Sequence, residues 1–159
     1  VSIRYPAGYA PRKEPHCGVL AVAIAAGVSF EDAWGTIKAQ ASYGASWRGR
    51  TYDADRSRAL KALGASYVER FHVPARMIRG TCHAVAGGRY VERCTVATFA
   101  RRHAKPGVTY LLTVGGHCVT LRDGIVADQH AVAPAAKHWA ARKVIRLSQE
   151  ITATKGAGQ

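Results

Sequence analysis

Acidic residues are scarce in this 159-residue chain. Ten Asp and Glu stand against 23 Lys and Arg, a net charge of +13. A chain so short of negative charge attracts polyanions before any specific contact forms. Long apolar runs are also lacking. The longest, around Cys17 to Phe30, falls short of the roughly 18–20 residues that a bilayer span requires. No signal-peptide pattern follows Val1, so the expected compartment is the cytoplasm. Cysteine is limited to Cys17, Cys82, Cys94 and Cys118. That is too sparse for a disulfide-built miniature protein, and without a C-x-x-C pair it does not make a zinc ribbon. Three cysteines have histidine neighbours: His16-Cys17, Cys82-His83 and His117-Cys118. Successive residues on a strand point to opposite faces, so these doublets chelate poorly, and no metal or other cofactor is expected. Cys82 and Cys94 flank an apparent hairpin, where either a disulfide or two buried thiols would fit. No internal repeat and no second domain are visible.

What is present suits one ordinary domain. Apolar residues make up 48% of the chain, enough to bury a core. A single domain is expected over residues 1–151, with 1–15 an extended arm punctuated by Pro6, Pro11 and Pro15, and 152–159 a disordered tail. The charge is uneven: +1 over residues 1–47, +9 over 48–105 and +3 over 106–159. The excess thus lies in the middle, on one expected layer or face. Arg (16) outnumbers Lys (7) and Ala reaches 29, a bias that a GC-rich genome also produces.

Residues Cys17 to Gly27 are apolar on every side and predict a buried helix, with Pro15 before it and Gly27 as its C-terminal cap. Ser29 with Asp32 opens a second helix to about Gln40, its buried stripe being Phe30, Ala33, Trp34 and Ile37. After a Gly/Ser/Arg-rich loop, Asp53 to Leu63 predicts a third, with Leu60 and Leu63 inward and Arg56, Arg58 and Lys61 outward. From Ser66 the period shifts toward two. Strands are expected at Val68–Val73 and Met77–Ile78, with a hairpin over His83–Val91 around Gly87-Gly88. Thr95 caps a short helix to about His103. Strands follow at Val108–Val114, Gly116–Arg122 and Ile125–Asp128, the last two joined by an Asp123-Gly124 turn. Ala131–Ala141 reads as loop or short helix, and Arg142–Leu147 as a closing strand. Helices first and strands second give an α+β layout, a buried N-terminal helix on a mostly antiparallel sheet.

Three residues in this layout can perform chemistry together. Cys17 opens the buried helix, where unpaired N–H groups and the helix dipole favour a thiolate. Gly18 beside it leaves room for a substrate. His117 lies on a strand. If Asp123-Gly124 is a two-residue turn, Arg122 pairs with Ile125, Leu121 with Val126, Val119 with Asp128 and His117 with His130. Asp128 is then diagonal to His117 on the same face, roughly 7–8 Å away at Cα and within side-chain reach. A carboxylate there orients an imidazole and stabilises its cation. His130 is a rival base or an additional site residue.

The order Cys, His, Asp resembles that of the papain-like cysteine peptidase superfamily. The carrying residues are Cys17-Gly18-Val19 with Ala21, Ala23, Ile24, Ala25 and Gly27, then Leu63-Gly64, Gly116-His117, Val119, Asp123-Gly124, Val126 and Asp128. The similarity spans about residues 9–130. It points to small, mostly uncharacterised phage and bacterial members, nearer to the bacteriocin-processing and transglutaminase-like branches than to papain. The resemblance implies a papain-like fold, a peptide or protein substrate and a Cys17–His117–Asp128 triad. It also adds a virus particle to the expected locations. Such enzymes carry a Gln about six residues before the Cys as an oxyanion donor. Here Pro11 stands there, followed by Arg12 and Lys13, and the remaining donor candidates are the Cys17 and Gly18 N–H groups and those two cations.

Two functions follow from these readings. One is a cysteine hydrolase of peptide, isopeptide or amide bonds, its basic middle segment selecting an acidic substrate. The other is a non-catalytic scaffold that binds nucleic acid or an acidic partner, as a phage-particle protein would. Arg48, Arg50, Arg56, Arg58, Arg101, Arg102 and Lys105 would be its contacts, with Trp47 and Tyr52 available for stacking.

Overall fold

The computed structural model describes residues 3–72, 84–85, 88–90 and 94–153. The uncharged stretch Cys17–Ala26 forms α1 and is buried from Gly18 through Ala23. Each fully buried Leu or Val there contributes roughly 1.5–3 kcal/mol. Gly27 ends the helix at φ 70°, its N–H donating to the Ala23 carbonyl. The next helix, α2 (Phe30–Gln40), starts on Ser29, whose hydroxyl accepts the Asp32 N–H at 3.1 Å. It buries Phe30, Ala33 and Ile37. The third, α3 (Asp53–Ala62), is held at its start by the Tyr52 N–H donating to Asp55 Oδ2 at 3.0 Å.

Among the described residues, eight strands make one sheet: β1 (Ala65–His72), β2 (Ala84–Val85), β3 (Gly88–Tyr90), β4 (Thr109–Val114), β5 (His117–Arg122), β6 (Ile125–Ala127), β7 (Val132–Pro134) and β8 (Ile145–Ala153). Their order is β2-β3-β1-β8-β4-β5-β6-β7, and every pairing except β1–β3 is antiparallel. The three N-terminal helices cover one face, packing on Leu111, Cys118 and Ile151. The other face carries Tyr110, Leu112, Val119 and Leu121. It is covered by a short helix, α4 (Val96–Arg102), and a 3₁₀ turn at Trp139–Arg142. The class is α+β, as the order of elements predicts. No helix among the described residues is long and apolar enough to cross a membrane.

The β5–β6 register is the predicted one: Arg122 faces Ile125 and Leu121 faces Val126. Its turn places Asp123 and Gly124 at φ 49° and 75°, and Gly115 and Gly116 turn β4 into β5 at 54° and 80°. Both turns need positive φ at two successive residues. The β2–β3 pair falls within the predicted hairpin, but Gly88, expected in its turn, belongs to β3 and pairs with Val85. Cys82, Met77 and Ile78 lie outside the described residues.

Four expectations change. The closing strand runs to Ala153, through the start of the expected tail, and sits in the middle of the sheet between β1 and β4. Its polar Ser148, Gln149 and Glu150 are buried, with Gln149 Nε2 donating to Ser57 Oγ at 3.2 Å. The stretch 131–141 holds an edge strand as well as the 3₁₀ turn. Arg56 is not on the outer face of α3 but is 5% exposed. Finally, the basic candidates do not share one face. Arg48, Arg50 and Arg58 are exposed on the side of the N-terminal helices, while Arg101, Arg102 and Lys105 are exposed at α4, across the sheet. Arg58 pairs with Asp55 at 2.7 Å and Lys105 with Glu150 at 3.4 Å.

Candidate active site

Cys17 is the first residue of α1, and the first helical hydrogen bond runs from Leu20 N–H to the His16 carbonyl. The N–H groups of Cys17, Gly18 and Val19 therefore precede the intrahelical ladder and remain available to an anion. His117 is the first residue of β5, beside the Gly115-Gly116 turn. Its ring lies at the end of the sheet, where it reaches both the start of α1 and the end of β6.

The three predicted residues meet there. His117 Nε2 lies 2.7 Å from Asp128 Oδ2, which leaves Nδ1 for the thiol. Burial pushes the Cys17 thiol up. Its hydrogen bond with His117, the Cys118 backbone N–H and the charges of His117 and Arg56 outweigh that and bring it below the ordinary range. For His117, burial favours the neutral ring, but the Asp128 and Cys17 hydrogen bonds and charges raise it to about 9. Together these directions describe a thiolate–imidazolium pair. Burial also works against the Asp128 carboxylate, but four donors hold it well below the usual range. Oδ2 accepts from His117 and, at 2.8 Å, from Trp139 Nε1. Oδ1 accepts the His130 and Ala131 N–H groups at 2.8 and 3.1 Å. Buried His138 accepts the Ala140 N–H on Nδ1, and its Nε2 lies 3.4 Å from Asp128 Oδ1 without a hydrogen bond between them.

Trp139 is the site residue that the sequence reading missed. Its indole bonds Asp128 and its ring meets His117 edge-on at 4.9 Å between centroids, while 42% of the residue stays exposed. An aromatic with a donor in a short Ala-rich segment after the Asp was the available signal. The arm joins the site as well: Tyr5 Oη donates to the Asp128 carbonyl at 2.7 Å.

A cleft of about 420 Å³ opens at Cys17, walled by Gly49 to Asp53 on one side and by Gly116, His117 and Thr113 on the other. Gly18 does not give this cleft its room. A Cβ there would overlap the Thr51 hydroxyl and stand 3.2 Å from Arg56 Cδ, so the missing side chain admits the wall and not a substrate. Arg12 and Lys13 are not in the cleft. Arg12 pairs with Glu31 and lies over Phe30, 4.5 Å from the ring centroid, and Lys13 is exposed. The oxyanion donors that remain are the backbone N–H groups of α1. His130 is exposed at the rim, its ring 5.7 Å from that of His117, and its backbone N–H serves Asp128.

His117, Asp128 and His130 also form the one group, among the described residues, whose ligand atoms converge within 4.8 Å. Two ligands on a tetrahedral zinc stand about 3.3 Å apart. The 2.7 Å His117–Asp128 bond would have to open to admit an ion.

Of the polyanion candidates, Arg50 and Arg56 line the cleft. Trp47 is stacked on Tyr43 at 4.8 Å and donates to the Arg50 carbonyl, which makes it a packing residue. Tyr52 is 60% exposed beside Arg50. Cys118, the rival thiol, is buried and pushed up to about 12. No family model, no curated protein and no solved structure matches this chain.

Proposed function

We propose that this protein is a papain-like cysteine hydrolase of peptide, isopeptide or amide bonds. The observation that carries the reading is the convergence of three residues from α1, β5 and the end of β6. They are a thiol at a helix N-terminus, an imidazole lining the same cleft, and a buried carboxylate bonded to that imidazole.

In this reading the Cys17 thiolate attacks the substrate carbonyl carbon, and the resulting oxyanion rests on the backbone N–H groups at the start of α1. The His117 imidazolium gives its Nδ1 proton to the leaving amine as the C–N bond breaks, leaving a thioester. Neutral His117 then takes a proton from water, the hydroxide attacks the thioester, and the thiolate leaves. Asp128 keeps the second ring proton on Nε2 throughout, so Nδ1 always faces the thiol. Trp139 covers the His117–Asp128 bond from solvent. Arg50 and Tyr52 at the rim favour an acidic or extended polypeptide substrate.

The test is site-resolved alkylation. At pH 6, iodoacetamide labels Cys17 first and leaves Cys118 unmodified, and His117→Ala slows the labelling of Cys17. Equal slow labelling of all the thiols would sink the proposal.

A further inference from the structure

We infer that Arg56 is a positioning residue of the Cys17 site. Its buried guanidinium clamps the Gly49–Asp53 wall against the start of α1 and supplies the fixed positive charge that favours the thiolate. The inference rests on the hydrolase reading and assigns a second source, beside His117, for the ionisation of Cys17.

The geometry is that of a built site. Nη1 donates to the Thr51 carbonyl at 3.2 Å and to Thr51 Oγ1 at 2.9 Å. Nη2 pairs with Asp53 and donates to Thr113 Oγ1 at 3.3 Å. One side chain thus ties the loop, the first turn of α3 and β4 together. Nε is buried with no hydrogen-bond partner. A buried ion pair is often no more stabilising than apolar residues of the same volume, so packing alone does not account for a charge here. Asp53, the counterion, is 44% exposed at its side chain, where solvent weakens its field. The positive charge, at 6% side-chain exposure, is sealed on the cleft side instead. Gly18 allows this closeness, since any larger residue would displace both Thr51 and Arg56.

The groups that face Cys17 are few. From β5 they are His117 and Cys118, with Asp128 behind the imidazole. From α3 they are Asp53 and Arg56, and from the loop before it Arg50 and Tyr52. β4 contributes the uncharged Thr113. Cys118 is neutral below about pH 12, and Arg50 is exposed. Arg56 is therefore the fixed buried cation of the set.

The experiment measures the pH profile of Cys17 alkylation in the full chain, with circular dichroism to confirm folding. Arg56→Gln is expected to move the midpoint up by about one unit, roughly tenfold slower labelling at a pH below both midpoints. Arg56→Lys restores most of the loss. Asp53→Asn, which removes the counterion, moves the midpoint down. Equal upward shifts in Gln and Lys, or an Asp53→Asn midpoint that stays or rises, overturn the inference. If Arg56→Gln does not fold, the direction in Asp53→Asn decides alone. A wild-type profile that His117→Ala leaves unmoved is the failure of the hydrolase reading. A profile that depends on His117 but not on Arg56 or Asp53 is the failure of this inference only.

Discussion

Replacing Asp128 with Asn tests the site most directly, because the substitution changes charge and hydrogen-bond polarity at nearly constant shape. The carboxylate is 1% exposed and accepts four N–H groups, two on each oxygen. An amide has one acceptor oxygen. If it faces the His130 and Ala131 N–H groups, its NH₂ opposes the indole and the imidazole. If it faces the rings, it opposes the backbone. Two donors lose their acceptor in either case, although the imidazole can answer the NH₂ by moving its proton to the other ring nitrogen. At about 1.5–3 kcal/mol for each charge-assisted bond, less what water recovers at half-buried His117 and Trp139, the loss is about 2–4 kcal/mol. Guanidinium unfolding followed by tryptophan fluorescence reads it.

On the proposed hydrolase reading, activity falls further. An NH₂ facing Nε2 drives the ring proton to Nδ1, the wrong tautomer for receiving a proton from the thiol side, a change worth about 10⁴-fold in the serine-hydrolase triad. The pH profiles move with defined signs. In the wild type the reactive window opens at the lowered thiol value and closes as His117 deprotonates at about 9. Without the carboxylate, the His117 value falls toward its ordinary 6.5 and the thiol rises toward its ordinary 9.0, so the window collapses from both sides. The folded-state Asp128 value lies below its ordinary one. Its contribution to stability is present above the ordinary carboxylate range and fades as pH falls through the folded value. The Asn variant therefore loses less stability on acidification than the wild type. A variant that unfolds within about 0.5 kcal/mol of the wild type and alkylates with an unmoved profile refutes this account of the site.

Two further substitutions probe the cleft. Gly18→Ala is expected to cost about 1–3 kcal/mol by overpacking and to slow Cys17 alkylation, since Thr51 must yield. Gly18→Ala with Thr51→Ala recovers much of both, and denaturant midpoints with labelling rates check it. Trp139→Phe keeps a ring against His117 but removes the indole N–H from Asp128, for a loss of about 1–2 kcal/mol. Trp139→Ala exposes the His117–Asp128 bond and, on the proposed reading, lowers hydrolysis further, as a kcat series on one substrate would report.

The parts of this architecture legible in the sequence are those set by local rules. An uncharged Ala-rich run after a proline makes a buried helix, and an Asp-Gly turn fixes the register that carries Asp128 next to His117. What stayed hidden depends on distant partners. The central position of β8 is masked by its Arg-Leu-Ser-Gln-Glu stretch, because the side chains satisfying Gln149 and Glu150 come from α3 and Lys105. Arg56 reads as surface in any pattern that counts charge as outward, and only Asp53, Thr51 and Thr113 make its burial tolerable. The same limit explains Gly18: one sequence cannot show what fills the space beside a missing side chain.

The place of β8 also governs when the molecule can fold. It is the last of the described strands, yet it bridges β1 and β4, pairing Ala65 with Ala153 and Thr109 with Ile151. Until it emerges during synthesis, β1 and the β4–β7 meander have no common strand. Contacts so far apart in sequence form slowly. The covering of the α1 face by a continuous sheet therefore waits for β8, since Ile151 on that strand completes the surface on which α1 packs. A polypeptide halted on the ribosome before β8 would have β1 and the β4–β7 meander as separate pieces.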